Sequence, residues 1–276
     1  MVDFKADLHT HTTHSDGTKS PKELLDIAHE AGLSGLSITD HDTISAYREA
    51  APYAKTLGIK LLPGVELSAQ HKNTSVHILG YAFDENNKLI DQFCKDYYEI
   101  RKQRNAEILE LLAKNGMFIS NEDVQNECLG TPGRPHIASV MLKKGYVKTF
   151  RDAFNLYIGD GKPCFVQGNR FSVEETIHHI HAAKGLAVIA HPHQIKSRKV
   201  VQDLLRMDFD GIEGHYGCLM AHEERKWIAI GRQKGWIVTG GSDFHGEIKP
   251  HNSIGASWVD EDTFQSLYLH YLNNHA

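Results

Sequence analysis

Much that would place this chain at a membrane, in an oxidising compartment or along a polyanion is missing from it. No apolar run approaches the roughly 20 residues needed to cross a bilayer. The four cysteines, Cys94, Cys128, Cys164 and Cys218, are widely spaced and form no Cys-x-x-Cys pair. That spacing argues against a disulfide framework and against sulfur-ligated zinc. The net charge of −5 gives no global basic field, so any nucleic-acid contact must be local. The opening residues, Met1-Val2-Asp3-Phe4-Lys5, lack the cationic and apolar regions of a signal peptide, and the expected compartment is the cytoplasm. A Gly-rich nucleotide cradle, a Ser/His/Asp arrangement and a reactive-cysteine motif are also missing, so kinase-like and nucleophilic mechanisms fall away.

What remains is a chain of 276 residues, 41% hydrophobic and 24% charged, long enough to bury a full core as one α/β barrel or two modest domains. Histidine is the outlier at 19 residues. Short histidine and carboxylate motifs recur along the chain: Asp7-Leu8-His9-Thr10-His11, His14-Ser15-Asp16-Gly17, Thr39-Asp40-His41-Asp42, Pro63-Gly64-Val65-Glu66, Val76-His77, Ala190-His191-Pro192 and Ser242-Asp243-Phe244-His245. Imidazole nitrogens and carboxylate oxygens hold divalent transition metals. These motifs offer too many ligands for one ion and suit a cluster of two or three.

Their placement decides more than their number. Short apolar runs alternate with amphipathic segments, the rhythm of βα units around a parallel sheet. Phe4–Leu8, Gly35–Thr39, Lys60–Val65, Ser75–Phe83, Leu186–Ala190, Gly211–Glu213 and Trp236–Gly240 read as strands. Ser20-Pro21-Lys22-Glu23 and Ser172-Val173-Glu174-Glu175 read as capping boxes that open helices. The first would bury Leu24, Ile27, Ala28 and Ala31 and stop at Gly32. From about Asp84 to Lys162 the rhythm gives way to a long helix over Lys88–Lys114 and shorter helical pieces. The expected organisation is therefore a barrel over residues 1–83 and 163–276, with a helical insertion over 84–162 covering one face. His9, His11, Asp40, His41, Glu66, His191, Asp243 and His245 fall at carboxyl ends of expected strands, the face where such barrels carry their active sites. His9 and His11 sit two apart on an extended strand, so their side chains point the same way, and Asp243-x-His245 repeats the spacing.

Taken in order, Asp7–His11 with Ser15–Gly17, Thr39–Asp42, Gly64–Glu66 and Ser242–His245 resemble the motifs of the PHP (polymerase and histidinol phosphatase) family, and the match extends over nearly the whole chain. Within that family, Gly133-Arg134-Pro135-His136-Ile137-Ala138 and Gly161-Lys162-Pro163 resemble a stand-alone branch acting on nucleotides and short RNA. That branch includes a 3′,5′-nucleoside bisphosphate phosphatase and a 5′-to-3′ exoribonuclease. The resemblance implies an α/β fold, a distorted TIM-like barrel of seven strands, and three divalent metal ions, often Mn2+, with Zn2+, Fe2+ or Mg2+ as alternatives. One ion would take His9, His11, Glu66 and Asp243. A second would take Asp16, His41 and His245. A third would take Glu66 again with His77 and His191. Asp7 and Asp40 would orient imidazoles from behind.

The chemistry expected of such a cluster is hydrolysis of a phosphate ester by a metal-bound hydroxide, without a covalent enzyme intermediate. Arg134, between Gly133 and Pro135, suits a second, non-reacting phosphate, because a guanidinium grips phosphate through paired hydrogen bonds. His136, Lys162 and Arg170 are further candidate substrate contacts, and His193 and His215 candidate general acids. Arg101, Lys102 and Arg104 read as solvated charges of the long helix. The expected substrate is a nucleoside 3′,5′-bisphosphate, cleaved to the 5′-monophosphate and phosphate, with 5′-end trimming of short RNA as the alternative within the same chemistry. A non-catalytic metal-binding regulatory module is the alternative from another class. No obligate protein partner and no membrane association are evident.

Overall fold

A computed structural model describes residues 4–128, 130–168 and 171–275. Strands β1 (Ala6–Thr10), β2 (Gly35–Ile38) and β3 (Lys60–Leu61) form a parallel three-stranded sheet. β1 and β2 are buried along their whole length, as parallel strands covered on both faces are, even though β1 carries the polar Asp7, His9 and Thr10. Helix α1 (Pro21–Glu30) links the first pair and opens with the expected capping box: the Glu23 N–H donates to Ser20 Oγ, and Glu23 Oε2 accepts from the Ser20 N–H. It buries Pro21, Leu24, Leu25 and Ala28; Ile27 is half-buried, and Ala31, expected in the buried stripe, is exposed at the helix end. Helix α2 (Tyr47–Leu57) ends at Gly58 in the left-handed conformation.

A second sheet follows the order β4 (Gly64–His71), β5 (Thr74–Tyr81), β6 (Leu186–Ile189), β7 (Gly211–Tyr216), β8 (Ile237–Gly241). β5 runs antiparallel to both neighbours, and β6, β7 and β8 run parallel to one another. The strand expected over Lys60–Val65 is in fact two pieces, divided at Leu62-Pro63. Glu66 therefore sits third in an eight-residue strand and not at a strand end. β4 turns back into β5 through Lys72 and Asn73, both at positive φ (48° and 62°), a two-residue turn of the primed kind. Such turns usually recruit glycine, and none marks this one.

The two sheets meet at isolated bridges. Thr10 pairs with Phe244, and the His11 N–H donates to Phe244 O at 2.9 Å. His41 pairs with Glu66, the Asp42 N–H donating to Glu66 O at 2.9 Å. β8 comes so close to β1 that a Cβ on Gly241 would lie 2.4 Å from that of His9. The fold is mixed α/β.

Helix α3 (Lys88–Lys114) leaves β5 with Asn87 as its N-cap. Its first half packs Ile90, Phe93 and Tyr97 into the main core, and its second half carries Ile108, Leu109 and Leu112 into a separate apolar cluster. That cluster is completed by α4 (Asn121–Gln125), α5 (Arg134–Lys143) and α6 (Phe150–Asp152), which runs on into a π-helical turn over Ala153–Ile158. Helix α7 (Val173–Ala182) covers β4 to β6; α8 (Arg198–Leu204) precedes β7, and α9 (Ala221–Lys234) lies on β7 and β8. Helix α10 (Glu261–His275) buries Phe264 and Leu267 beside β1. Neither α8 nor α10 was marked by the sequence pattern. Among the described residues no helix is long and apolar enough to cross a membrane.

Candidate metal centre

The ligand-bearing segments are tied to one another before any ligand is considered. Asp40 accepts from Thr12 through its N–H (2.7 Å) and hydroxyl (2.6 Å) and from Ser15 Oγ (2.6 Å), fastening the loop that carries Asp16 to the end of β2. Asp7 accepts backbone N–H groups from His9, Ser242 and Gly255, fastening β1 to the loops after β8. Both were expected to orient imidazoles; both instead hold backbone and hydroxyl groups. The carboxylate that meets an imidazole on the side turned away from Glu66 is Glu213, which the sequence did not single out. Glu213 Oε1 lies 2.7 Å from His9 Nδ1, and Glu213 Oε2 accepts the His191 N–H at 2.6 Å.

Glu66 is the hub. Its Oε2 lies 3.2 Å from His9 Nε2, 3.1 Å from His11 Nε2 and 3.2 Å from His41 Nδ1. Its Oε1 lies 2.7 Å from His77 Nδ1 and 2.8 Å from His191 Nε2. Asp243 Oδ1 is 3.4 Å from His9 Nε2 and from His11 Nε2. Asp16 Oδ1 is 3.3 Å from His245 Nε2, and Asp16 Oδ2 is 3.8 Å from His41 Nε2. Three groups result whose ligand atoms lie within 4.8 Å of one another: His9, His11, Glu66 and Asp243; His11, Asp16, His41 and His245; and His41, Glu66 and His77. The third differs from the expected trio in holding His41, while His191 reaches it through the shared Glu66 oxygen. Three residues here adopt left-handed backbone, Asp42 (φ 54°), His191 (φ 24°) and Asp243 (φ 52°), strain of the kind that gathers at functional sites.

Burial would keep these groups neutral, but at most of them neighbouring opposite charges override it. Asp16, Glu66 and Asp243 are held well below the usual carboxylate range against burial, chiefly by His245, His41 and Lys249 respectively. Burial also opposes the charge on His9 and His11. Glu213, Asp243 and Glu66 nevertheless hold His9 well above the ordinary imidazole value, and Asp243 and Glu66 bring His11 up to about 9. Burial prevails at His41 and His245, which fall below it. Divalent cations suit this donor set. His11 Nε2, His41 Nδ1 and Asp243 Oδ1 are buried side-chain atoms that find no hydrogen bond among the described residues, close to oppositely charged neighbours but unaligned with them. Buried polar atoms normally find partners, and a cation would supply them here.

The remaining expected residues are placed unevenly. Arg134 Nη1 bonds Asp160 Oδ1 at 2.9 Å, and Asp160 lines a cavity of about 380 Å³ whose wall also carries His77 and His191. His136 is buried, accepts the Gly133 N–H at 2.9 Å through Nδ1, and is pushed down by burial, with Asp16 among the charges that act on it. His193 packs its ring against Tyr216 (4.5 Å) and 6.4 Å from that of His191, and burial lowers it. Lys162 is exposed, and no hydrogen bond or ion pair of its side chain reaches the cluster. His215 faces Glu224 at 3.5 Å and not the cluster, because a bulge after Glu213 shifts the register of β7. Arg170 lies outside the described residues. Lys102 is exposed, as expected, but Arg101 and Arg104 are not solvated charges: Arg101 reaches Asp42 and Arg104 is buried. Lys249 Nζ and the Tyr216 hydroxyl, both unforeseen, each lie 2.6 Å from Asp243 Oδ2. A lysine four residues past the last histidine motif, in the segment after β8, was the available signal for the first of them.

The family model for the PHP domain matches residues 7–162, a span that holds His9, His11, Asp16, His41, Glu66 and His77. The chain belongs to the PHP family. Among PHP-like relatives, the 5′-3′ exoribonuclease of Haemophilus influenzae is 34% identical over 248 residues, covering 87% of this chain and 90% of that protein. The 3′,5′-nucleoside bisphosphate phosphatase of Chromobacterium violaceum is 30% identical over 256 residues, covering 90% of each. A solved structure from Bifidobacterium adolescentis, described as a candidate metal-dependent phosphoesterase, superposes with a TM-score of 0.87 at 29% identity, covering 96% of each chain.

Proposed function

We propose that this PHP protein is a metal-dependent hydrolase of nucleotide phosphate esters, most specifically one that removes the 3′-phosphate from nucleoside 3′,5′-bisphosphates. The observation that carries the reading is the position of Glu66, one carboxylate reached by five imidazoles from four separate segments. Three divalent ions, with Mn2+ the first candidate, would be held by His9, His11, Glu66 and Asp243; by Asp16, His41 and His245; and by Glu66, His77 and His191. Bound there, they would offset the charge of the phosphoryl oxygens and acidify a water molecule. The bridges at Thr10–Phe244 and His41–Glu66 support reading the two sheets as staves of one distorted barrel, with residues 84–162 as a helical cap over its ligand-bearing end.

The chain's own side chains give the site its selectivity. The 380 Å³ cavity beside His77 and His191 accommodates the part of the substrate that does not react. A second phosphate in it would compete with the Asp160 carboxylate for Arg134, exchanging one charge-assisted pair for another. His136, buried on α5, would supply a further substrate contact, and His193, its ring 6.4 Å from that of His191, would supply a proton to the departing oxygen. Cleavage at the 5′ end of short RNA is the second reading, favoured by the identity with the Haemophilus exoribonuclease. Rates on adenosine 3′,5′-bisphosphate, AMP and a 5′-phosphorylated oligonucleotide in Mn2+ separate the two. A bisphosphate preference supports the phosphatase, an oligonucleotide preference the exoribonuclease, and no turnover on any of them overturns both.

A further inference from the structure

One side chain of α3 enters the wall of the metal centre. Arg101 is 12% exposed, and its Nε donates to Asp42 Oδ2 at 2.6 Å while its Nη2 donates to Ser68 Oγ at 2.9 Å. Both partners are buried. Asp42 in turn accepts from the Ser68 N–H at 2.7 Å and the Ser68 hydroxyl at 3.0 Å, and its own N–H donates to Glu66 O. Asp42 directly follows His41 and takes the left-handed backbone that few residues other than glycine adopt. A carboxylate buried in this way needs its countercharge, and among the described residues Arg101 is the cation paired with it. The third edge of the guanidinium faces α5. A Cβ on Gly133 would lie 3.0 Å from Arg101 Nη1, so the arginine packs against bare backbone at the residue before Arg134. The same Gly133 donates its N–H to His136.

We infer that Arg101 is a positioning residue: through Asp42 it sets His41 and Glu66 in place, and through Gly133 it aligns the start of α5, which carries Arg134 and His136, with the metal centre. The inference rests on the phosphoesterase reading for its kinetic consequence, but the geometry it invokes is independent of substrate. The guanidinium meets Asp42, Ser68 and the Gly133 backbone with separate edges of one rigid plane, whereas a lysine ammonium is a point charge on a flexible stem with no such plane to set against Gly133. Small displacements of a site assembled in this way lower turnover far more than they lower stability.

The test uses the full chain with Mn2+ and the bisphosphate substrate. Arg101→Lys is expected to lower kcat by about tenfold or more with KM nearly unchanged and the thermal midpoint within a few degrees of the parent. Arg101→Gln and Asp42→Asn, alone and together, form a cycle read by both kcat and Mn2+ affinity from calorimetry. If Arg101 acts through Asp42, the double variant is no worse than the poorer single one. Losses that multiply, a wild-type kcat in Arg101→Lys, or a loss confined to KM would each overturn the inference, the last by making Arg101 a substrate contact. If Arg101→Lys fails to fold, Ser68→Ala removes one anchor of the guanidinium, and an unchanged kcat there has the same force. Absent turnover by the parent protein would sink the phosphoesterase reading alone, because the Mn2+-affinity arm of the cycle still reports on Arg101.

Discussion

Glu213 Oε1 stands 2.7 Å from Nδ1 of His9, across 204 positions of sequence. The contact fixes which imidazole nitrogen faces Glu66, and the other Glu213 oxygen holds the strained backbone of His191. Glu213→Gln keeps the shape and removes the charge that makes His9 a strong donor. Mn2+ affinity is expected to weaken by about 10- to 100-fold with the circular dichroism spectrum unchanged. Calorimetric titration measures it, and parent-like affinity would deny Glu213 this role.

Glu66 is shared by all the imidazoles around it except that of His245, so its loss cannot be local. Glu66→Ala and Asp243→Ala are both expected to reduce turnover to that of chelator-treated protein while the chain remains folded. Initial rates in Mn2+ beside thermal melts check this; near-parental rates in either variant would refute the metal assignment.

The His11 imidazole supplies a pH dependence whose sign can be worked out. Its value in the metal-free fold, about 9, lies above the ordinary 6.5, so folding favours its proton. That stabilisation, on the order of 3 kcal/mol, is fully present below pH 6.5 and is lost as the pH rises through 9. A metal ion needs the same ring unprotonated, so Mn2+ affinity should instead climb over that window, by about tenfold per unit where one proton is displaced. Melting curves in EDTA and in Mn2+ between pH 6 and 9.5 should therefore diverge as the pH rises. A metal-free midpoint that climbs across this range would contradict the assignment.

Arg134 is already paired with an exposed carboxylate, and removing it leaves no buried charge stranded. Arg134→Ala should thus spare the fold and raise KM for a doubly phosphorylated substrate by about tenfold, the worth of one charge-assisted contact, with kcat little changed. An unchanged KM would take Arg134 out of the site.

The candidate ligands were legible because their chemistry is local: His-x-His on a strand and Asp-x-His after one point the same way whatever the rest of the chain does. The capping boxes at Ser20 and Ser172 were legible for the same reason. Glu66 was legible as a candidate ligand but misplaced on its strand, because the break at Pro63 depends on β4 pairing with β5, and the turn that joins them uses lysine and asparagine where glycine would have announced it. Glu213, Tyr216 and Arg101 carry no local mark. An isolated glutamate in a short strand, a tyrosine after it and an arginine in a charged helix acquire meaning only from partners far along the chain. Lys249 stood close enough to the last histidine motif to have been noticed.

Gly241 leaves a final consequence. A single methyl group there would occupy the volume of the first side-chain carbon of His9. The reach of that imidazole toward Glu66 is thus governed by a hydrogen atom on the facing strand, and a change as slight as alanine would dislodge the ring while leaving every donor atom of the pocket in the sequence. An inventory of the histidines and acids would count such a chain complete, and it would still be unable to close its hand around a cation.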